Sequence, residues 1–448
     1  MLYSIYAKNY KSIKEIQVRV GTFNILIGEN GAGKSNILEA LASYSAIIEN
    51  SFTNEFMLSR GIRVTESQNL FSCFSNKEAK KAVIGITDTN TFGCRVTIKS
   101  SDEPFAPLQH EIQLFSPKFN DEDEIDFETF DLKDLTINLL AEKYEDLWKK
   151  YGSFENFSQK LDLITEELDK LNSLKKEKDI TPSKEFKNEI MEYKKFRDEV
   201  SRINVSVQAL NKIMKITENY NEINKEHKNI KNFIIFSPEL SSLRVFSSDS
   251  QIEPLGVNGE GLLKLLQVMQ EHEPENFKKV CETVEMFQWV EKIIIDNDIK
   301  NTEQRIKIID RFMGREIDHR SANEGFLFVL FYAALFTSKF TPQSFAVDNI
   351  DASLNPKLCR VLIKELISLA KENGKQAFVT THNPAILDGL DLHDNEQRLF
   401  VVERDDEGAT QLRRVGVDDL PKPTRSGQSI KLSESFMRGF LGGLPTNF

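Results

Sequence analysis

The sequence predicts an α/β protein in which a mixed, mainly parallel sheet is flanked by helices and a helical insertion interrupts the chain. Three observations carry that prediction. Apolar strands alternate with helical segments near both ends of the chain, the pattern of a parallel sheet covered on its faces. A glycine-rich loop, Gly28 to Ser35, stands between a strand and a helix. From about 135 to 230 glycine falls to Gly152 alone, and apolar residues recur at helical spacing.

Taken in order, residues 2–27 read as strands: Leu2 to Ala7 and Ile16 to Val20 alternate, and Phe23 to Ile27 is a short apolar run ending at a glycine. A helix is expected from about Lys34 to Glu49, and strand composition returns across 82–115. An acidic stretch, Asp121 to Asp134, marks a change of character. Beyond it Leu161, Ile164, Leu168 and Leu171 form one a/d seam, and Tyr193, Phe196, Val200, Ile203, Val207, Leu210 and Met214 form another. The turn residues Asp179 to Ser183 lie between them, so an antiparallel hairpin is expected. Residues 170–232 carry 15 Lys/Arg and 10 Asp/Glu, a net +5. Phe233 to Phe236 reads as a strand, about 260–295 as helical, Phe326 to Phe340 as a strongly apolar helix and Phe345 to Val347 as a buried strand. Leu358 to Glu372 reads as a helix, Ala377 to Thr380 as a strand and Phe400 to Glu403 as the last strand. The expected division is 1–130, 131–232 and 233–448, with the first and third parts forming one head.

Composition bounds the function. The 448 residues carry 58 Lys+Arg against 69 Asp+Glu, so the net charge is −11, and any nucleic-acid contact needs a local patch. Four scattered cysteines give neither a disulfide framework nor a cysteine-rich zinc site. The N-terminal residues lack the pattern of a signal peptide, and no apolar run reaches the roughly 18 residues of a membrane span. A cytoplasmic protein with no membrane partner is expected.

Gly28-Glu29-Asn30-Gly31-Ala32-Gly33-Lys34-Ser35 matches G-x-x-x-x-G-K-[ST] in its required context, after a strand and opening a helix. The glycines let backbone N–H groups curl around a phosphate, the lysine reaches β and γ oxygens, and the serine holds Mg²⁺. Gly28, Asn30, Gly31, Gly33, Lys34, Ser35 and Asn36 are therefore the candidate nucleotide-binding set. Ser344 to Asp348 is an apolar strand ending in an acid, the expected second partner for Mg²⁺, although a strand-terminal Asp also caps turns. Phe378 to Thr381 is a second strand, ending at His382, which is well placed to meet a γ-phosphate.

In this order, the phosphate loop, the Val347-Asp348 strand, Ser353-Leu354-Asn355 and Thr380-Thr381-His382 resemble an ABC-type P-loop ATPase head of the RecF, SMC and OLD-nuclease kind. Asn9-Tyr10-Lys11-Ser12-Ile13 is similar to that group's opening motif, and an inserted antiparallel coiled-coil hairpin is also typical of it. The resemblance implies ATP and Mg²⁺ as ligands, Asp348 as the Walker B acid, Ser353 to Asn355 as the D-loop and His382 as the switch histidine. It implies that Arg320 to Gly325 is the signature segment, with Ser321, Asn323 and Glu324 meeting nucleotide held by a second subunit, head to tail. Gln68 is implied as the Q-loop residue near the metal. Two departures matter: Asn349 stands where the catalytic Glu belongs, and Asn323 where the signature has glycine. An amide is no general base, and Asp351 is nearby but two residues further along, so ATP is expected to be turned over slowly.

Only 66 residues follow His382, too few for a Toprim nuclease, and no clustered nuclease set is visible elsewhere. A head with a helical insertion and no effector is similar to ATPase subunits of two-gene anti-phage systems. The first choice is Septu, paired with an HNH nuclease, and the second is PARIS, paired with a Toprim effector. The expected partners are a second copy or a higher homo-oligomer, an effector nuclease, and DNA or a phage component. The competing expectation is a RecF- or SMC-like DNA-repair or tethering ATPase whose hairpin binds DNA. A stand-alone nuclease lacks ligands here, and a transporter ATPase would lack the hairpin.

Overall fold

The computed structural model describes residues 1–49, 51–64, 66–75, 77–87, 93–100, 108–115, 118–119, 125–126, 228–245, 254–295, 306–422 and 430–444. The chain divides into two compact units, 1–130 with 227–448, and 131–226. The second unit, with both a/d seams of the expected hairpin, lies outside the described residues, as does most of the acidic stretch.

The central sheet of the first unit has six strands, in the order Ile235–Phe236, Ser344–Val347, Gln376–Thr381, Phe23–Ile27, Gln397–Arg404 and Thr410–Val415. The first five run parallel, with Phe345 opposite Ala377, Val379 opposite Ile25, and Ile25 opposite Leu399. The outermost strand is antiparallel, pairing Val401 with Arg413. Every residue of Phe23–Ile27 and of Gln376–Thr381 is buried, which is why these strands read as continuous apolar runs. Phe400 to Glu403 therefore lies within the next-to-last strand of this sheet, and Thr410–Val415 follows it.

The strands at 4–19 and 81–115 do not join this sheet. They form a separate antiparallel one, in the order Ile13–Arg19, Ser4–Tyr10, Lys81–Thr87, Gly93–Lys99 and Gln109–Phe115. A third, three-stranded antiparallel sheet holds Val290–Ile295, Ile306–Asp310 and Arg315–Asp318. It corrects the expectation of helix throughout 260–295. The helices Leu262–His272 and Pro274–Val284 end before it, and the Ile293-Ile294-Ile295 run is β-branched and suits a pleated surface.

The helix Glu324–Thr337 is apolar because it is enclosed, with Gly325 to Thr337 all buried. It ends at Thr337, three residues short of the expected Phe340. Phe336 meets Phe345 of the central sheet edge to face, ring centres 4.9 Å apart, and Phe331 meets Phe236 at 5.8 Å. Such aromatic pairs add about 1 kcal/mol beyond their buried area. The helix Pro356–Asn373 has clear punctuation: Asn355 caps it, Pro356 opens it and Gly374, at φ +62°, ends it. Together these elements bring the carboxyl ends of Phe23–Ile27, Ser344–Val347 and Gln376–Thr381 side by side, where Gly28, Asp348 and His382 follow.

Candidate functional site

The loop between strand Phe23–Ile27 and helix Lys34–Ile48 has glycine where nothing else fits. A Cβ on Gly28 would lie 2.0 Å from the Val402 carbonyl oxygen. Gly33 has φ +107°, and a Cβ there would lie 2.1 Å from Thr410 Oγ1. The loop is also tied from outside: Arg404 Nε donates to Gly31 O (2.7 Å), and Thr410 Oγ1 donates to Ala32 O (2.9 Å).

Lys34 is 6% exposed and folds back into the loop, where its Nζ donates to Gly28 O (2.9 Å) and Glu29 O (2.8 Å). Burial pushes its pKa down to about 8, against the opposing pull of Asp348, Asp351 and Glu29. Ser35 Oγ donates to Asp348 Oδ2 at 3.0 Å. A hydroxyl and a carboxylate this close are an oxygen donor set suited to Mg²⁺, which takes few protein ligands and completes its shell with phosphate and water. With a glycine cradle that a Cβ would fill and a buried cation beside it, these residues fit a nucleotide with its metal.

Two threonines of strand Gln376–Thr381 organise the acids. Thr380 Oγ1 donates to Asp348 Oδ1 and accepts the Asn349 N–H at 2.8 Å. Thr381 Oγ1 donates to Asp351 Oδ1 at 2.6 Å. Asn349 holds a left-handed backbone, φ +58°, a conformation asparagine tolerates better than most residues. His382 Nδ1 lies 3.1 Å from Gly28 O and 3.4 Å from Lys34 Nζ. A carbonyl only accepts, so the Gly28 bond requires the proton on Nδ1 and leaves Nε2 as the acceptor of the neutral ring. Burial, and then the Lys34 charge, lower the His382 pKa and favour that neutral form.

Lys34, Ser35, Asp348, Asn349, Asp351 and His382 are thus one cluster. Asn36 belongs to a neighbouring network, donating to Ser12 Oγ (2.7 Å) and accepting from Arg63 (3.1 Å). Asn30 and Gly31 are exposed on the loop. Gln68 falls in the turn Ser67–Leu70, and its side chain lies outside the described residues. Ser321, Asn323 and Glu324 are all exposed. Their recorded bonds stay local: Asn323 Oδ1 caps the following helix through Phe326 N–H, and Glu324 accepts from Ser353 Oγ at 3.2 Å. The expected signature segment is therefore joined to the Ser353–Asn355 turn. Asn355 also has a plain structural task, accepting the Leu358 N–H as a helix cap at 3.0 Å.

Sequence reasoning missed Thr410, Arg404, Arg63 and Glu39, and noted Thr380 and Thr381 without a role. The doubled threonine before His382 was the available signal; Glu39 follows the loop motif on its own helix but belongs to no pattern, and Arg404 and Thr410 sit far from any motif. Beside the loop lies a cavity of about 610 Å³ whose wall includes Lys11, Ser12, Arg63, Phe71 and Arg404.

Comparison with known proteins gives similarities to a relative, to solved structures and to a family. Over 124 residues the chain is 31% identical to the uncharacterized protein MJECL10 of Methanocaldococcus jannaschii, covering 26% of this chain and 55% of that protein. The match thus spans about half the length of that relative. The Smc head domain of Pyrococcus furiosus, solved with an extended coiled coil and bound to the C-terminal domain of ScpA, is 16% identical with a TM-score of 0.45, over 93% of this chain and 96% of that one. The SMC head domain of Thermotoga maritima is 11% identical with a TM-score of 0.42, over 93% and 99%. Among the described residues no helix is long and apolar enough to cross a membrane. A family described as "AAA domain, putative AbiEii toxin, Type IV TA system" matches residues 23–388, which takes in the phosphate loop, the Asp348 strand and His382, and the chain belongs to that family of ATPase domains.

Proposed function

We propose that this chain is an ATP-binding subunit that turns nucleotide over slowly and acts as a nucleotide-gated scaffold. In this reading Lys34 and the loop N–H groups hold the phosphates, Ser35 and Asp348 hold Mg²⁺, and His382 reads the terminal phosphate. The metal, when bound, neutralises phosphate charge. Two copies pair head to tail, so that Ser321, Asn323 and Glu324 of one meet nucleotide held by the other, and higher assemblies follow. The assembly regulates or scaffolds a separate effector nuclease, HNH or Toprim, in bacterial anti-phage defence, with a Septu-like pairing ahead of a PARIS-like one.

One observation carries the slow-turnover reading. The residue after Asp348 is an asparagine, pinned by its own N–H to Thr380, while Lys34, Ser35 and Asp348, the residues the motif pattern assigns to phosphate and metal, stand together beside it. An amide takes no proton from water. Asp351, the remaining carboxylate, already accepts the Thr381 hydroxyl through one oxygen.

The test is to denature purified wild-type and Lys34→Ala protein, identify the released nucleotide and time ATP turnover. Intact ATP retained by the wild type alone, with negligible turnover, is the expected result. Brisk turnover that depends on Lys34 would sink the scaffold reading and favour a motor or timer. Co-expression with the products of the neighbouring genes tests the partner: an HNH or Toprim protein should be encoded there and co-purify only when Lys34 is intact. Replication or repair genes in that position, with DNA retained by the chain alone, would favour the RecF- or SMC-like alternative instead.

A further inference from the structure

The helix that follows the phosphate loop carries a buried acid that the roles above leave unused. Glu39 is 1% exposed. A carboxylate taken out of water needs a charged or hydrogen-bonded partner, and this one has two cations from separate segments. Lys11 Nζ, from the turn between the first two strands, bonds Oε2. Arg63 bonds Oε1 through Nε at 2.6 Å and again through its backbone N–H at 3.3 Å. The Glu39 bond holds the Arg63 guanidinium still more firmly in its charged form. The two side chains differ in exposure, Lys11 at 10% and Arg63 at 64%.

Stability alone is a poor reason for this arrangement. An apolar side chain of similar volume serves a buried position as well as a buried ion pair does, often better. What the arrangement achieves is placement. Lys11 and Arg63 both stand in the wall of the 610 Å³ cavity, where with Arg404 they face one acid, Glu78. Two cations on one carboxylate leave a positive excess there.

The same carboxylate is wired to the phosphate loop. Arg63 Nη2 donates to Asn36 Oδ1 (3.1 Å), and Asn36 Nδ2 donates to Ser12 Oγ (2.7 Å). Ser12 Oγ lies 2.7 Å from Thr410 Oγ1, which donates to Ala32 O (2.9 Å). Because Thr410 gives its one proton to Ala32 and Ser12 accepts from Asn36, the hydroxyl proton of Ser12 runs to Thr410 and every donor is used. The chain of bonds thus runs from Glu39 to the phosphate loop through four side chains drawn from distant parts of the sequence.

We infer that Glu39 is a positioning residue: it holds Lys11 and Arg63 at the wall of this cavity so that they meet the anionic groups of a bound nucleotide. The inference rests on the ATP-binding reading above.

The test uses the full chain and ATP itself, with dissociation constants measured beside melting temperatures. Glu39→Gln and Arg63→Gln should each weaken ATP binding about tenfold, the effect of losing one charge-assisted contact. The double variant should bind no more weakly than Glu39→Gln alone, because losing the carboxylate already releases Arg63 along with Lys11. Glu39→Asp should recover part of the loss. Wild-type affinity in either single variant overturns the inference, as do additive losses in the double. A lower melting temperature with unchanged affinity in Glu39→Gln marks a purely structural carboxylate and also overturns it. Should Glu39→Gln not fold, the more exposed partner Arg63 decides: about tenfold weaker binding at unchanged melting temperature in Arg63→Gln supports the inference, and wild-type affinity sinks it. Lys34→Ala is measured in parallel. If it binds ATP as the wild type does, the ATP-binding reading itself has failed. If it alone loses ATP, only the role of Glu39 has.

Discussion

Two regions that the resemblance pairs in one site are built very differently. Around the phosphate loop Asn30, Gly31, Asn349 and His382 are exposed, but the groups that carry the main links are buried or partly buried and interlock across the sheet: Lys34 to Gly28 and Glu29, Ser35 to Asp348, Asp348 to Thr380, Asp351 to Thr381. Around the signature segment Ser321, Asn323 and Glu324 are exposed, and the recorded links of Asn323 and Glu324 are a helix cap and one hydroxyl. The first region is preorganised by the chain itself. The second is solvated in the single chain, and the proposed function gives it a role only when a second copy covers it. The contrast teaches where to look for ligand and where to look for a partner.

The comparison is broken most directly at Asn349, to which the proposed function assigns the slow turnover. Restoring a carboxylate with Asn349→Glu is expected to raise the ATP hydrolysis rate by about 10²–10⁴-fold, the usual worth of a positioned general base, with ATP affinity changed only a few-fold. A steady-state rate unchanged from wild type, in a variant that still binds ATP, would mean that another group already activates water. At the signature edge, Ser321→Arg should leave ATP binding by the single chain intact while abolishing ATP-dependent dimerisation, read by light scattering. An ATP-dependent dimer of unchanged strength would remove Ser321 from the interface.

The pH response sharpens the first region. Lys34, with its pKa lowered to about 8 by burial, is charged below that value and neutral above it when no phosphate is bound. Bound phosphate favours the charged lysine, so above about pH 8 binding must take up a proton. Affinity should then be flat from pH 6.5 to 7.5 and fall by up to tenfold per unit above about 8. Lys34→Arg, which stays charged, should remove that fall. A wild-type affinity that stays flat to pH 9.5 would show that Lys34 remains charged without ligand. The smallest effect belongs to the exposed link between Ser353 and Glu324. Ser353→Ala should cost less than about 1 kcal/mol, because water replaces a solvent-facing bond. A loss above about 2 kcal/mol in chemical denaturation would show that the signature edge is rigid in the single chain.

Some of this was legible before any coordinates. The phosphate loop is a local motif: eight consecutive residues carry its backbone shape and chemistry, and the flanking apolar run and helix can be read beside it. The apolar strands ending at Asp348 and His382 were legible because strands buried on both faces leave an uninterrupted apolar signature. The strand Val290–Ile295 was not, since Val290-Glu291-Lys292-Ile293-Ile294-Ile295 follows two helices and a short mixed run suits either state.

What the sequence by itself determined is the inventory: a glycine-rich loop with the phosphate-loop pattern, a strand-terminal acid, a histidine after two threonines, and an asparagine directly after that acid. Each is fixed by identity and short-range order. The tertiary structure alone decided how the inventory is wired. Ser12 and Thr410 lie 398 positions apart, and Thr380 lies 32 from Asp348. Sheet order brings such residues together, and a hydrogen bond across that separation leaves no periodicity to read. The sorting of strands into a parallel central sheet and a separate antiparallel one was decided the same way. Both kinds of strand bury apolar residues, and only the pairing of distant segments settles which edge each one joins.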